Sequence, residues 1–507
     1  MRARPLPYLL IALLALLCAH GWNRVNLAAL RDSPAQEKVR DGRALTSTDD
    51  ASYLQGVDRL LGARPDLEDT TDESRPMLRA PGYALFYLLP RLVLDPLPAI
   101  SALVWMQCLL YAFAVAMLAA TLQHARIAAR IRWPLILLFA VMPTFHGFLF
   151  HTLTEGVTPS LTLLLLCCAL RDAHADHRRW LIAALLLWAL LMVTRPALLW
   201  TGIVLLPALL RLPRWRALAF TLLAAAPLLS WWTMNVLRTH SLVGLHPVYY
   251  ASAAGINRPT HGAFWDLAKS WGARGDAFHP VMESAYQAAL RGDTSTHYAD
   301  AFIALSPPGM LSTDHDRRIR RAFAAWQRFN CTELAPALRS ARGTIPITTR
   351  TEQGILFALA SITDEWRGAH RWHHHVVVPL RVLKQLVAHS NLNLWIFQHS
   401  WRGRPAMEAL RWFSAIGHAA WLAAAALAFL LRVPTPVRLL SFGCAAYLFY
   451  LAYVQRGVEE RYTLPVLFVG VVCMAFVLAA EAQRRGEREL PKKTMGRRGA
   501  ENPMRTS

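Results

Sequence analysis

Asp49 and Asp50 stand side by side in Thr48-Asp49-Asp50-Ala51-Ser52-Tyr53, just beyond the first hydrophobic stretch of the chain. A carboxylate at the mouth of a membrane-embedded bundle is placed to take a proton from a substrate hydroxyl, and charge there meets substrate more often than charge on a soluble surface. The pair also has a structural reading. Leu54, Val57, Leu60 and Leu61 recur behind it at helical spacing, so Thr48 or Asp50 would cap that helix by accepting the amide hydrogen bonds its first turn leaves open. Neighbouring helical residues point about 100° apart, which argues against a shared-proton dyad and for a division, Asp49 into a cavity and Asp50 to the cap.

The frame that must hold such a carboxylate follows from composition. Of 507 residues, 54% are hydrophobic and 17% charged, mean hydropathy is +0.26, and apolar runs alternate with basic clusters. That pattern predicts an all-α polytopic membrane protein. About ten transmembrane helices are expected, near 7–29, 97–121, 133–150, 157–170, 180–193, 197–210, 217–234, 409–431, 439–454 and 463–481. Arg2 and Arg4 ahead of the run from Tyr8 to Cys18 imitate a signal peptide, but Leu17 is a poor cleavage residue and further spans follow, so the segment reads as a retained anchor. A formal charge of +21 would suit a nucleic acid. The arginines flank spans, however, and no basic, aromatic-interleaved soluble region stands out, so the reading is of no nucleic acid partner. Six of the seven cysteines lie in apolar runs, Cys331 being the exception, and neither disulfide nor zinc spacing emerges.

Short-loop charge sets the expected orientation. Arg126, Arg130 and Arg132, then Arg171, Arg178 and Arg179, Arg211, Arg214 and Arg216, Arg432 and Arg438, and the tail residues Arg484, Arg485, Lys492 and Lys493 all fall on the cytoplasmic side if the N-terminus is there. The extracytoplasmic side then collects loop 30–96, His151-Thr152-Leu153-Thr154-Glu155, Thr194-Arg195-Pro196, segment 235–408 and the run from Gln455 to Tyr462. Polar residues from distant segments converge on one face, as an active site at a membrane surface requires. Segment 235–408 is too long to be structureless. Helical apolar spacing from Ile319 to Trp326 and from Val376 to Val387 predicts a mostly helical domain, the part from Val376 to Phe397 lying along the interface. The expected organisation is a membrane module 1–234, a helical domain 235–408, further spans over 409–482 and a basic cytoplasmic tail 483–507.

The remaining candidates carry paired readings. Glu155 either works in a site or caps the span that follows, and Arg195, before Pro196, either binds substrate or marks a span boundary. Arg456 and Arg461 are cations for an anionic group, or partners of Glu459 and Glu460 in a solvated cluster. His373-His374-His375 resembles a metal tract but lacks carboxylate or cysteine spacing, and reads as a solvated interfacial run. His146 and His151 flank Glu155, so a divalent metal fits the sequence without being required by it; the cofactor is unknown.

Arg79-Ala80-Pro81-Gly82-Tyr83-Ala84-Leu85-Phe86 is a Pro-Gly turn returning the chain to the membrane. Together, Asp-Asp-x-x-Tyr, this RAPGYALF segment, Thr154-Glu155, Thr194-Arg195-Pro196 and Glu460-Arg461-Tyr462-x-x-Pro465, in that order and on one side, resemble the bacterial GT-C membrane glycosyltransferases, in the branch related to protein mannosyltransferases and aminoarabinose transferases. The resemblance implies inverting transfer of a sugar from a polyprenyl-phosphate donor to an extracytoplasmic hydroxyl on a glycan, lipid or protein acceptor. It implies Asp49, four residues before Tyr53, as general base and Glu155 as the assisting carboxylate. Inverting transfer needs a base for the acceptor proton and cations for the departing phosphate; Arg79, Arg195, Arg456 and Arg461 sit where those cations are wanted, with Asp50, Tyr53, Tyr83, Glu460 and Tyr462 supporting. The implied location is the bacterial inner membrane. The acidic stretch 65–73 and Ala84 depart from the pattern and bear on the acceptor. Two other classes compete: a transporter or flippase of lipid-linked glycans, which repeat symmetry and mid-membrane charge would favour, and a non-catalytic assembly protein, which would tolerate loss of the carboxylates.

Overall fold

The computed structural model describes residues 5–31, 39–46, 50–62, 79–175, 178–239, 250–251, 256–340, 349–388, 403–456 and 459–489. Asp49 and the acidic stretch 65–73 lie outside the described residues, as do the side chains of Asp50 and Glu460. The elements run α1 (Leu6–Ala29), β1 (Val39–Arg40), β2 (Ala44–Leu45), α2 (Asp50–Leu60), α3 (Gly82–Arg91), α4 (Pro96–His124), α5 (Ala129–Val141), α6 (Pro143–His146), α7 (Thr158–Ala175), α8 (Arg178–Thr194), α9 (Leu206–Leu209) and α10 (Arg214–Thr239). A two-residue pairing of β3 (Tyr250–Ala251) with β4 (Ile256–Asn257) leads into α11 (Pro259–Trp271), α12 (Gly275–Leu290), α13 (His297–Ile303), α14 (Thr313–Phe329), α15 (Ala335–Ser340), α16 (Arg350–Ala369) and α17 (Val378–Ala388). The chain ends in α18 (Pro405–Leu427), α19 (Thr435–Phe449) and α20 (Leu464–Glu489).

The protein is all-α, and among the described residues seven helices are long and apolar enough to cross a membrane. Three of the ten expected spans fall short, each for a local reason. The segment 133–150 is not one helix: α5 stops at Val141 because Met142 precedes Pro143 and is extended (φ −70°, ψ 130°). Arg195 precedes Pro196 and is extended likewise (φ −150°, ψ 95°), so α8 ends after 17 residues. The apolar stretch that follows it is a 3-10 turn, Pro196–Leu205, running into the four residues of α9.

Two apolar cores form. One gathers α1, α4, α5, α7, α8, α19 and α20, and takes in Val378, Val382 and Leu386 of α17. Within it α18 and α20 approach so closely that a Cβ on Gly470 would lie 2.2 Å from the Trp421 carbonyl oxygen. The other core belongs to the helical unit α11–α16 and is aromatic, built on Phe264, Trp271, Phe278, Phe302, Phe323 and Trp326. A capping box fixes the start of α16, where Thr349 accepts from the Glu352 amide at 3.2 Å and Glu352 accepts from the Thr349 amide at 3.3 Å. Glu352 is also clamped by Arg258, both side chains almost fully buried, with Arg258 Nε donating to Oε1 at 2.7 Å and its Nη2 donating to Oε2. All seven cysteines are free.

Candidate active site

Glu155 lies on the 3-10 turn Thr154–Gly156 immediately before α7 and is 4% exposed. A carboxylate that buried needs partners, and they come from two distant places in sequence. Arg195, at the end of α8, donates from Nη1 to Glu155 Oε1 at 2.7 Å. Arg461, ahead of α20, brings Nε to 3.6 Å from the same oxygen. The other oxygen receives the Thr154 hydroxyl, at 3.1 Å. Tyr462 lies under both guanidiniums, its ring 4.7 Å from Arg195 and 5.8 Å from Arg461, a geometry that holds a cation's orientation without neutralising it. Arg461 is also held bidentately by Glu459, at 2.6 and 3.1 Å. Beside Glu155 runs a narrow crevice lined by Phe145, Phe148, Leu149, Ser160, Leu464 and Phe468.

The first outer loop is fastened to the same place. Strands β1 and β2 pair antiparallel, and Leu45 then bridges to the turn before Glu155: its amide donates to the Phe150 carbonyl at 3.0 Å and its carbonyl accepts from the Thr152 amide at 3.3 Å. On the far side of this loop Arg91 donates to Asp58 at 2.6 Å, both side chains buried, tying α2 to α3. Asp50 is the first residue of α2, and so opens its first turn rather than standing ahead of it.

Helix α3 brings the rest. Gly82 sits against the end of α8, where an added Cβ would be 2.5 Å from the Thr194 amide nitrogen and the Val193 carbonyl carbon. That contact seats Tyr83, which is fully buried, packs edge-on against Tyr53 at 5.4 Å and donates to Gln107 Oε1 at 2.9 Å. Arg79 lies over the Tyr53 ring at 5.2 Å. Gln107 Nε2 donates to the Leu149 and His151 carbonyls at 2.8 and 3.0 Å, and leaves no room for a side chain at Gly156, whose Cβ would be 2.2 Å from the amide. The His151 imidazole is pushed down to about 3 by burial, with Arg461 acting in the same direction and Glu155 against it, so it stands neutral.

The structure therefore gathers Glu155, Arg195, Arg461 and Tyr462, and links Tyr53, Tyr83 and Arg79 through one another. Arg461 does pair with Glu459, as the cluster reading expects, and also reaches Glu155. Arg456 goes elsewhere: its described side-chain contacts are the Tyr453 carbonyl, at 2.7 Å, the Tyr453 ring and His374 Nδ1, at 2.6 Å. The histidine tract is not a solvated run. His373 and His374 are buried, His373 meets the Trp271 carbonyl at 3.0 Å, and His375 bonds the Tyr453 hydroxyl. His146 packs edge-on against Tyr111, and no group of three metal-ligating side chains occurs among the described residues. Sequence reasoning missed Gln107, although an amide in the middle of an apolar span is a signal in itself.

A polytopic α-helical bundle with a carboxylate and two cations gathered at one end is the class that fold and site define. No protein-family model matches the chain, and no curated protein matches it. Among solved structures it is similar to ArnT from Cupriavidus metallidurans bound to undecaprenyl phosphate, at 13% identity and TM-score 0.32 over 97% of this chain and 82% of that one. It is similar to the same protein in the apo state at 13% identity and TM-score 0.31, over 96% and 80%. A superposition that loose carries no argument about chemistry.

Proposed function

We propose that this chain is a membrane glycosyltransferase of the GT-C type, moving a sugar from a polyprenyl-phosphate donor to an acceptor hydroxyl with inversion. The observation that carries the reading is the Glu155–Arg195–Arg461 cluster, at the same end of the bundle as the hairpin leading to Asp49. Asp49 accepts the acceptor hydroxyl's proton as that oxygen attacks the anomeric carbon. The bond from that carbon to the phosphate oxygen breaks, and the polyprenyl phosphate leaves with the bonding electrons. Glu155 holds one edge of Arg195 and draws in Arg461, so the guanidiniums are oriented beforehand toward the charge that develops on the phosphate. Arg79, resting on Tyr53, is the third cation. The working face is extracytoplasmic, and both termini are cytoplasmic.

The test uses proteoliposomes supplied with a polyprenyl-phosphate-linked sugar and a cell-envelope acceptor fraction. Asp49→Asn preserves shape and removes the base, so transfer should fall by about a hundredfold or more. Transfer at the wild-type rate by this variant would sink the assignment.

A further inference from the structure

We infer that the end of the bundle opposite the Glu155 cluster carries a lipid site, a groove between α5 and α20 that takes an acyl chain of an anionic phospholipid and sets its phosphate between Arg130 and Arg485. The groove has a volume of about 410 Å³, within the size range of ligand pockets. Helix α5 lines it with Arg130, Pro134 and Leu138, and α20 with Leu478, Glu481, Ala482 and Arg485. Helical period sets both linings. Residues 130, 134 and 138 recur at every fourth position, and 478, 481, 482 and 485 at every third or fourth, so each set forms one stripe along its helix. The first turn of α5 meets the last turns of α20, and the two stripes therefore change from apolar to charged at the same level.

That level is the far surface of the membrane. Arg461, just ahead of α20, reaches Glu155, and the apolar span that begins there ends at Arg485. Leu464 and Arg485 are separated by about 30 Å of helix, which is the thickness of a bilayer's hydrocarbon core. Arg485 thus stands at headgroup depth, and Leu478 and Leu138 lie at the depth of the chains.

The charge suits one phosphodiester. Arg130 is exposed and makes no ion pair among the described residues. Arg485 is also exposed and donates from Nε to Glu481 Oε1 at 3.1 Å, a solvated pair that binds weakly. Two cations against one carboxylate leave one net positive charge at the rim, the complement of a single anionic headgroup. Below the rim the apolar surface continues, with Leu137 and Val141 exposed farther along α5. An apolar trough under a basic rim at this depth matches a phospholipid, chain inward and headgroup outward. No residue of the groove belongs to the Glu155 cluster, so the site stands or falls independently of the catalytic reading.

The experiment is native mass spectrometry on the whole protein, titrated with phosphatidylglycerol or phosphatidylcholine. Phosphatidylglycerol should bind in preference. Arg130→Gln and Arg485→Gln should each weaken it about fivefold, and the double variant about twentyfold, with phosphatidylcholine changing less than about twofold. Glu481→Gln removes the competing carboxylate and should tighten phosphatidylglycerol about twofold. Ala482→Trp fills the trough and should weaken both lipids by about tenfold or more. Arg214→Gln, in the basic turn that opens α10, should bind like wild type. Equal weakening by Arg214→Gln would reduce the effect to general surface charge and overturn the site, as would unchanged binding in the double variant. A dimer that Ala482→Trp dissociates while lipid binding stays intact would give the groove to a second copy of the chain, and overturns it too. Arg130 and Arg485 are both exposed, so their variants keep the fold and decide the matter even if Ala482→Trp does not.

Discussion

The protein holds two buried glutamates against arginine, and they are built differently. In the helical unit, Glu352 receives the whole fork of Arg258 on both oxygens and also caps α16. At the end of the bundle, Glu155 receives one nitrogen of Arg195 and the more distant approach of Arg461 on a single oxygen, leaving a neutral hydroxyl on the other. The first arrangement is closed: Arg258 takes both oxygens, and Oε2 also accepts from the Thr349 amide. The second divides two cations over one carboxylate oxygen, with Arg461 shared between Glu155 and Glu459. Since a buried ion pair contributes little net stability compared with apolar packing, the closed pair specifies one junction in the fold, and the open one is the arrangement on which the proposed function rests.

Cutting the closed pair should have the largest effect. Glu352→Gln leaves a buried guanidinium without its counter-ion and should cost about 3–5 kcal/mol, read as loss of hydrogen-exchange protection across α11–α16. The paired change Arg258→Met with Glu352→Leu should restore most of it. The open pair should behave in the opposite way. Glu155→Gln should lower sugar transfer by about a hundredfold in protein that melts close to wild type, and a variant that unfolds while its folded fraction keeps full activity would erase the distinction.

Glycine sharpens the contrast at smaller scale. Gly82→Ala forces α3 off α8 and should destabilise by about 1–3 kcal/mol, with a parallel loss of transfer as Tyr83 shifts. Gly354→Ala, in open space on α16, should stabilise by about 0.5–1 kcal/mol. Equal responses at the two positions would contradict the packing described. The smallest effect is a pH response of the helical unit. His261, stacked 6.0 Å from His279, is pushed from 6.5 to about 4 by burial and then by His279. It is neutral when folded and takes a proton when unfolded, so its contribution is complete above 6.5 and is lost as pH falls from there toward about 4. Melting temperature should decline over that window, less steeply in His261→Phe.

Most of the membrane helices were legible because an apolar run of span length has few other uses. The spans that failed were misread at prolines: Pro143 and Pro196 each make the preceding residue extended, a signal weaker than the hydropathy around it. The convergence of Glu155, Arg195 and Arg461 was legible from their common side. Their division of one oxygen was not, because it depends on where helices end in space. Arg456 shows the limit plainly. It lies five residues from Arg461, yet its backbone turn carries it to His374, 82 residues away. The Arg258–Glu352 clamp spans 94 residues and leaves no trace in local pattern.

The short backbone pairing between Leu45 and the 150–152 turn has a mechanical consequence. Because it joins main chain to main chain, side-chain substitution in either loop does not release it. Moving residues 44–46 away from this end of the bundle therefore either breaks two backbone hydrogen bonds or carries the turn before Glu155 along with it.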